Sequence, residues 1–140
     1  MEVRIQTNAK EVAKRVKKKG KALSDSVKKA LSITAQSGVN IILDRTGKGA
    51  GFKGGAFEGY NPLYAAFRLA HGRSKTPDLN FTGQMLGSMT TKSTSSQAEI
   101  FFSRATESKK AAMNNKTRPF FGFNRKEEKK LGQVFFRALK

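Results

Sequence analysis

Residues 78–89 read DLNFTGQMLGSM and carry the densest set of conformational signals in the chain. Within them, Thr82 and Gly83 are typical of a turn that opens a short helix. A threonine hydroxyl can cap free helix N–H groups, and glycine lets the backbone approach closely. The apolar residues Met85 and Leu86 fall in the first turn of that helix. The segment therefore predicts a structural turn, and it contains no set of groups that could do chemistry.

The residues that follow this turn predict a β-hairpin. The run 88–94 is rich in β-branched residues, the run 98–102 is mostly apolar, and two serines separate them. The buried face of the hairpin is expected to include Met89, Ile100 and Phe102. Because a lone hairpin is marginally stable, further strands are expected from residues 3–6, from segments assigned as loop, or from adjacent subunits.

A second informative segment, residues 117–124, reads TRPFFGFN. Pro119 excludes helical geometry at Arg118, so an extended or turn segment presents the phenylalanines that follow. Neighbouring side chains of an extended segment point to opposite sides. One of Phe120 and Phe121 is therefore expected to be buried and the other to face a partner, and a wholly intramolecular core is the alternative for either ring.

Helices are predicted near both ends of the chain. Asn8 with Glu11 indicates a capping box, and the apolar spacing after it predicts a long amphipathic helix over residues 9–43. Gly20 falls in the apolar row and is expected to weaken or kink this helix by ~1 kcal/mol. The same Asn-x-x-Glu pattern at Asn124 predicts the start of the C-terminal helix.

Residues 46–61 are predicted to form a flexible, glycine-rich loop. Its Gly-rich sequence lacks the G-x-x-x-x-G-K-[ST] pattern and does not follow a strand, so a nucleotide site is excluded. Phe52 and Phe57 lie in this loop and are interpreted as anchors on a neighbouring subunit. Stacking of these rings on single-stranded bases is the alternative.

The remaining residues, 62–140, are predicted to form an α+β core. A short helix begins at Pro62, with Leu63, Ala66, Phe67 and Ala70 on one face, and another covers residues 107–115. The order of elements predicts one α+β domain over residues 1–140, with a long N-terminal helix, a small antiparallel β-sheet and a C-terminal helix.

The chain is strongly basic. It has 28 Lys and Arg against 10 Asp and Glu, and the net charge of +18 is concentrated in residues 1–30 and 104–140. Such an imbalance favours a polyanion such as DNA, or an acidic partner surface, by long-range attraction and counterion release. Solvated helix faces are the alternative. No stretch approaches the ~18 consecutive apolar residues of a membrane span.

Residues suited to catalysis or metal binding are sparse. The chain has no cysteine and one histidine, His71, which is expected to complement the C-terminus of a helix. The acids of the central region are isolated in sequence, so neither a paired acid and base nor an activated serine is indicated. The sequence predicts a protein that is not an enzyme and that uses no cofactor or metal.

The segments 78–89 and 117–124 together carry a family resemblance. They resemble the L-x-x-T-G-x-M-x-x-S and R-P-F-x-G signatures of the small tail-completion or head-tail joining proteins of tailed bacteriophages. The resemblance extends from about Tyr64 to the C-terminus. It departs from the family in the length of the glycine-rich loop and in the residues before Arg118, where a His-x-x-Gly step is usual.

The resemblance implies a structural virion protein. Its subunits are expected to form a ring, with six-fold order, at the neck or the head-proximal end of the tail. The ring is expected to contact connector and tail proteins and to surround the DNA channel, after assembly in the host cytoplasm. The candidate subunit-interface residues are Phe52, Phe57, Phe120, Phe121 and Phe123. The candidate DNA-facing residues are Lys17, Lys18, Lys19, Lys21, Arg125, Lys126, Lys129 and Lys130.

A small basic nucleic-acid-binding protein, of ribosomal or nucleoid type, is the competing interpretation. A protein of that type would have the same strongly basic composition as this chain. However, no helix-turn-helix, single-strand-binding barrel or RNA-recognition motif can be identified in this sequence, and such a function would leave the RPFFGF segment unexplained.

Overall fold

The computed structural model describes residues 1–5, 11 and 20–139. Within them the chain is a mixed helix and sheet structure with a long N-terminal helix, a small antiparallel sheet and a C-terminal helix. The elements, in chain order, are β1 (Glu2–Ile5), α1 (Lys21–Gly47), α2 (Pro62–Ala70), α3 (Gln84–Gly87), β2 (Met89–Ser93), β3 (Ala98–Phe102), α4 (Ala105–Thr117) and α5 (Arg125–Ala138).

The sheet has three antiparallel strands in the order β1-β3-β2, so the most apolar strand is central. Ile100 of β3 lies opposite Val3 on one side and Thr91 on the other. Ile100 and Phe102 are buried, and Met89 packs against the core that they help to form. The predicted hairpin is confirmed, and the segment from Val3 supplies the third strand.

Helix α1 begins at Lys21, directly after Gly20, and ends at Gly47. The prediction placed its cap at Asn8 and its start at residue 9, and residues 6–10 and 12–19 lie outside the described part of the chain. Its predicted end at residue 43 is wrong by four residues, because Arg45 and Thr46 face the protein interior and continue the helical turn. The buried residues of α1 pack against α5 on one side and against β2 and β3 on the other.

Helix α5 begins at the predicted capping box. The Asn124 side chain accepts a hydrogen bond from Glu127 N–H at 2.9 Å, and Glu127 Oε1 accepts one from Asn124 N–H at 3.1 Å. Leu131 and Phe135 are buried against α1. The C-terminal helix therefore closes the core over the outer side of α1.

The phenylalanines of residues 117–124 are not arranged as predicted. Phe120 and Phe121 are both buried and both lie against Phe102, with ring centroids 6.4 and 4.9 Å away. The Asn115 side chain accepts hydrogen bonds from the N–H groups of both residues, which turns the backbone so that both rings enter the core. Phe120 and Phe121 therefore have no surface to offer a neighbouring subunit, and the prediction that one of them faces a partner is wrong.

The glycine-rich segment 46–61 has no long helix or strand after Gly47, but it is attached to the rest of the chain rather than free. Phe52 N–H donates to Pro119 O at 3.2 Å, and Phe57 N–H donates to Gly49 O at 2.8 Å. Phe57 is buried within this chain, so it is a core residue and not a subunit anchor. A Cβ on Gly51 would lie 2.6 Å from Pro119 O, which explains glycine at this crossing.

The two shorter helices follow the sequence pattern. Helix α2 covers the predicted residues, with Asn61 Oδ1 accepting a hydrogen bond from Leu63 N–H at 2.9 Å and His71 at the C-cap. Helix α4 extends the predicted range by two residues at each end. Within the described residues, α4 packs on β3 and α3, whereas α2 makes no extensive contact with another helix or strand.

Candidate contact surface on helix α2

Arg68 holds helix α2 in place. Its side chain is only 1% exposed, and its guanidinium donates to Ser74 O at 2.9 Å, to Asp78 Oδ1 at 2.9 Å and to Asn80 O at 3.3 Å. All three acceptors lie on the segment that leads into the Thr82-Gly83 turn. A charged side chain therefore forms the attachment of α2 to the protein, where an apolar side chain would be usual.

Aromatic rings complete this attachment. The Arg68 guanidinium lies 4.9 Å from the Tyr60 ring centroid and 5.8 Å from that of Tyr64. Burial by itself would lower the pKa of Arg68, but the Tyr64 hydroxyl, Tyr60 and Asp78 together keep that pKa above its ordinary value. Burial also raises the pKa of the Tyr60 phenol, which stays neutral beside the cation.

The Tyr60 hydroxyl oxygen also supports a strained residue. It accepts a hydrogen bond from Leu79 N–H at 3.1 Å. Leu79 has a φ of 56°, a left-handed conformation that costs a side-chain-bearing residue about 1 to 2 kcal/mol. The leucine of the first signature segment is thus held in an unfavourable conformation by the same cluster that anchors α2.

Four rings form a continuous row along α2, which we call the aromatic ladder: Tyr60, Tyr64, Phe67 and Phe81. Successive centroids are 5.0, 6.2 and 5.6 Å apart. An arginine lies at each end, with the Arg118 guanidinium 4.7 Å from the Tyr60 ring and that of Arg73 5.7 Å from the Phe81 ring. The ladder fixes the orientation of α2 without covering the helix.

The predicted apolar face of α2 points into solvent. We call this set of four residues the α2 outer face: Leu63, Ala66, Phe67 and Ala70. Leu63 is 83% exposed and Phe67 is 47% exposed, and both alanines are also exposed. Because Arg68 takes the inner side of the helix, the described part of the chain leaves this face largely uncovered. Phe67 lies at its edge, where the ring also contacts Tyr64, His71 and Phe81.

A cleft of about 660 Å³ separates α2 from α4. Its lining includes Thr82, Gly83 and Met85 from the first signature segment and Arg118 from the second. The two segments, thirty residues apart in sequence, therefore meet on one surface. Gly83 has a φ of 82° at the start of α3, and Thr82 Oγ1 accepts a hydrogen bond from Gln84 N–H at 3.3 Å.

The α4 side of the cleft contains a buried acid. Glu107 is paired with Lys110 through Oε1 at 3.3 Å, and its Oε2 has no hydrogen-bond partner within the described residues. Beside it, the Asn114 amide lies 3.8 Å from the Met85 sulfur. The cleft thus combines an aromatic wall with one polar wall. Among the described residues, no group of three or more possible metal ligands lies in it.

The other predicted site residues lie elsewhere. Phe52 and Phe123 are half-buried, and Phe52 packs so closely on Gly122 that a Cβ there would lie 2.7 Å from the ring. Lys21 is exposed at the start of α1, and Lys17, Lys18 and Lys19 lie outside the described residues. Four exposed cations lie on one side of α5, and we call them the α5 basic strip: Arg125, Lys126, Lys129 and Lys130.

Sequence reasoning missed two arginines that hold elements in place, Arg68 at this surface and Arg45 at the end of α1. Arg45 donates to both oxygens of Glu127, at 2.5 and 2.6 Å, and to Phe120 O at 2.6 Å. The available signal for Arg68 was a cation inside an otherwise apolar nine-residue helix with three aromatic residues close by in sequence.

Comparison of the chain with protein-family models, with curated proteins and with solved structures gives no match. Within residues 20–139 and the short described N-terminal segments, no helix is long and apolar enough to cross a membrane.

Proposed function

We propose that this chain is a structural subunit of a tailed-bacteriophage particle. It forms an oligomeric ring at the neck or the head-proximal end of the tail, and it completes the tail or joins it to the head around the DNA channel. It is assembled in the host cytoplasm and acts through contacts with its own copies and with neighbouring connector and tail proteins.

The α2 outer face is the observation that carries this proposal. An apolar helix face is ordinarily buried, and a contiguous exposed apolar surface on a soluble protein marks a contact with another molecule. Here the helix is held rigidly by Arg68 and the aromatic ladder, so it is already oriented for such a contact.

The two signature segments give further support. They resemble short motifs of tail-completion and head-tail joining proteins, and both contribute to the cleft beside α2. Their conformational roles, a left-handed Gly83 and a backbone turn capped by Asn115, position surfaces and do not supply chemistry. Conformational roles of this kind suit a protein that functions by assembling with other subunits.

The charge of the chain fits a position around packaged DNA. The α5 basic strip is exposed and is not paired with acids by any described ion pair. Such a strip neutralises phosphates without reading bases, and DNA that passes through a neck must slide.

Native mass spectrometry of the purified chain, with and without double-stranded DNA, tests the proposal. We expect a closed oligomer of defined order, six by the family resemblance, and electron micrographs of the same sample should show rings with a central opening. A chain that remains smaller than a ring at all concentrations, with DNA present, would contradict the ring. Binding of one nucleotide sequence that persists at high salt would instead favour the dedicated nucleic-acid-binding protein.

A further inference from the structure

We propose that two copies of this chain pair through the α2 outer face, with the two α2 helices antiparallel across a twofold axis. This inference concerns the free protein and does not depend on the proposed function. A twofold contact closes at two copies, so a ring would use a second surface or would exchange this contact during assembly.

The spacing of the α2 outer face suits a helix pair. Its four residues follow an i, i+3, i+4, i+7 pattern, which is the pattern by which one helix lays an apolar stripe on another surface. Leu63 and Phe67 project furthest, and Ala66 and Ala70 leave room between them. In an antiparallel pair, Leu63 of one copy faces Ala70 of the other, and Ala66 faces Phe67. Large residues then meet small ones.

The charge distribution favours a second copy at this face over any other part of the surface. Two chains of net charge +18 repel each other, so a contact between them is opposed least where cations are few. Helix α2 carries one charged side chain, Arg68, which is buried and paired with Asp78. The α2 outer face is therefore an uncharged strip on a strongly basic molecule.

The charges that flank α2 select the antiparallel direction. Glu58 precedes the helix and is exposed, whereas Arg73 and Lys75 follow it and are exposed. An antiparallel pair brings Glu58 of each copy toward Arg73 and Lys75 of the other, and a parallel pair brings the four cations together. Arg118 also lies at the Glu58 end, where its guanidinium donates to the carbonyls of Glu58 and Gly59 at 2.8 and 3.0 Å. Its positive charge makes that end nearly neutral, and the antiparallel pair still keeps the two Arg73-Lys75 ends apart. The two helix dipoles are also opposed in the antiparallel pair.

Two other occupants fit the surface less well. Stacking of nucleic-acid bases needs free ring faces, but the most exposed residue here is a leucine and the ladder rings lie against one another. A different surface of a second copy is a poorer match. The cleft between α2 and α4 is lined by Lys110 and Arg118 beside its rings, so an apolar helix would meet cations there. The exposed large apolar side chains on the other helices are spread over α1, α4 and α5: Leu23, Ile33, Leu43, Met113 and Phe136.

The absence of cysteine from the chain permits a direct test of the twofold axis. A single Ala66→Cys substitution places the new thiol beside its own copy across the axis. We expect a short bis-maleimide reagent to convert this variant to a covalent dimer at micromolar concentration. The control is Ala22→Cys, which places an exposed thiol on α1 and should stay monomeric. Cross-linking at residue 66 that does not exceed cross-linking at residue 22 would overturn the proposal.

A matched pair of serine variants tests the apolar contact. Leu63 is 83% exposed and Met113 is 70% exposed, so neither substitution removes a core side chain. We expect Leu63→Ser to raise the dimer dissociation constant about 100-fold, because the change acts twice across a twofold axis. Met113→Ser should leave it unchanged. Sedimentation equilibrium measures both, with thermal melting as the check on folding, and equal effects of the two variants would overturn the assignment to α2.

A charge exchange tests the direction of the pair. Glu58→Lys alone and Arg73→Glu alone should each weaken dimerisation, and the double variant should restore it, because both new pairs are again of opposite sign. A double variant weaker than either single variant would rule out the antiparallel arrangement. If the protein cross-links at residue 66 but native mass spectra show no rings, the twofold pair is supported and the proposed ring is contradicted. If rings form without cross-links at residue 66, the ring is supported and the twofold pair is contradicted.

Discussion

Two arginines organise the interior of this chain. Arg45 joins the end of α1 to α5 and to the carbonyls of the second signature segment, and Arg68 joins α2 to the segment before the Thr82-Gly83 turn. Each guanidinium reaches three or more acceptors at once, and its planar set of five donors suits such a position better than a lysine ammonium. The polar contacts of Arg45 and Arg68 therefore fix the positions of α5 and α2 in the fold.

Removal of Arg68 should be costly. Arg68→Met keeps most of the side-chain volume but leaves Asp78 without its cation and Ser74 O and Asn80 O without a donor. We expect the free energy of unfolding to fall by about 3 to 5 kcal/mol, as is usual when one partner of a buried ion pair is removed. Chemical denaturation measures this.

The control for Arg68 is Arg73→Met, which removes an exposed cation of the same type at the end of the aromatic ladder. That change should cost no more than about 1 kcal/mol. A loss at Arg68 as small as the loss at Arg73 would show that α2 is held by its rings and not by the buried cation.

Helix ends account for most of the agreement between sequence and structure at the level of elements. The capping box at Asn124 and the Asn61-Pro62 start of α2 are local signals, and both are present with the expected geometry. Helix α3 also begins after Thr82, but its N-cap is Gly83, and the Thr82 hydroxyl accepts from Gln84 N–H in a turn instead of capping the helix. The two caps are predictable because a cap depends on residues within one helical turn.

The one error in this region and the features that the sequence left open have a different origin. The side of α2 that faces the protein is decided by Arg68 and its acceptors six to twelve residues away, and the burial of both Phe120 and Phe121 is decided by Asn115. An apolar stripe on a helix predicts the buried face only when the opposite side of the helix makes no stronger contact with the rest of the protein. The cleft beside α2 was likewise unpredictable, because it joins segments thirty residues apart through the tertiary fold.

The cap and the turn provide a quantitative test at this level. Asn124→Ala removes the acceptor for Glu127 N–H, so we expect a loss of about 1 to 2 kcal/mol of stability. Thr82→Ala should cost less, roughly 0.5 to 1 kcal/mol, because its hydrogen bond is longer and starts a single-turn helix. Thermal melting of both variants provides the comparison. A larger loss at Thr82 than at Asn124 would mean that Thr82 supports more than this turn.

At the scale of the whole molecule, charge and apolar surface lie on different elements. The α5 basic strip is on the helix that covers α1, whereas the α2 outer face belongs to a helix with no extensive contact with α1 or α5. A single chain can therefore bind a polyanion through α5 and another protein through α2.

The α5 basic strip should govern DNA binding. With all four of its residues changed to alanine, we expect weaker binding that is equal for unrelated sequences. The slope of log affinity against log salt should be shallower by about 3 to 4 if all four side chains neutralise phosphates. Fluorescence anisotropy over a salt series measures this.

Alanines at four other exposed lysines form the matched control for charge: Lys28, Lys29, Lys109 and Lys116. If this control lowers the slope as much as the α5 variant does, DNA binding follows net charge and has no particular place on the molecule.

The contact between Arg45 and Glu127 spans 82 residues of sequence. A ribosome that adds about 5 to 20 residues per second completes α1 roughly 4 to 16 seconds before it completes the start of α5. During that interval the apolar residues of α1 that pack against α5 are exposed, because α5 has not yet been synthesised. We therefore expect the nascent chain to be a substrate for ribosome-associated chaperones, and release from them to follow the emergence of α5 from the ribosome.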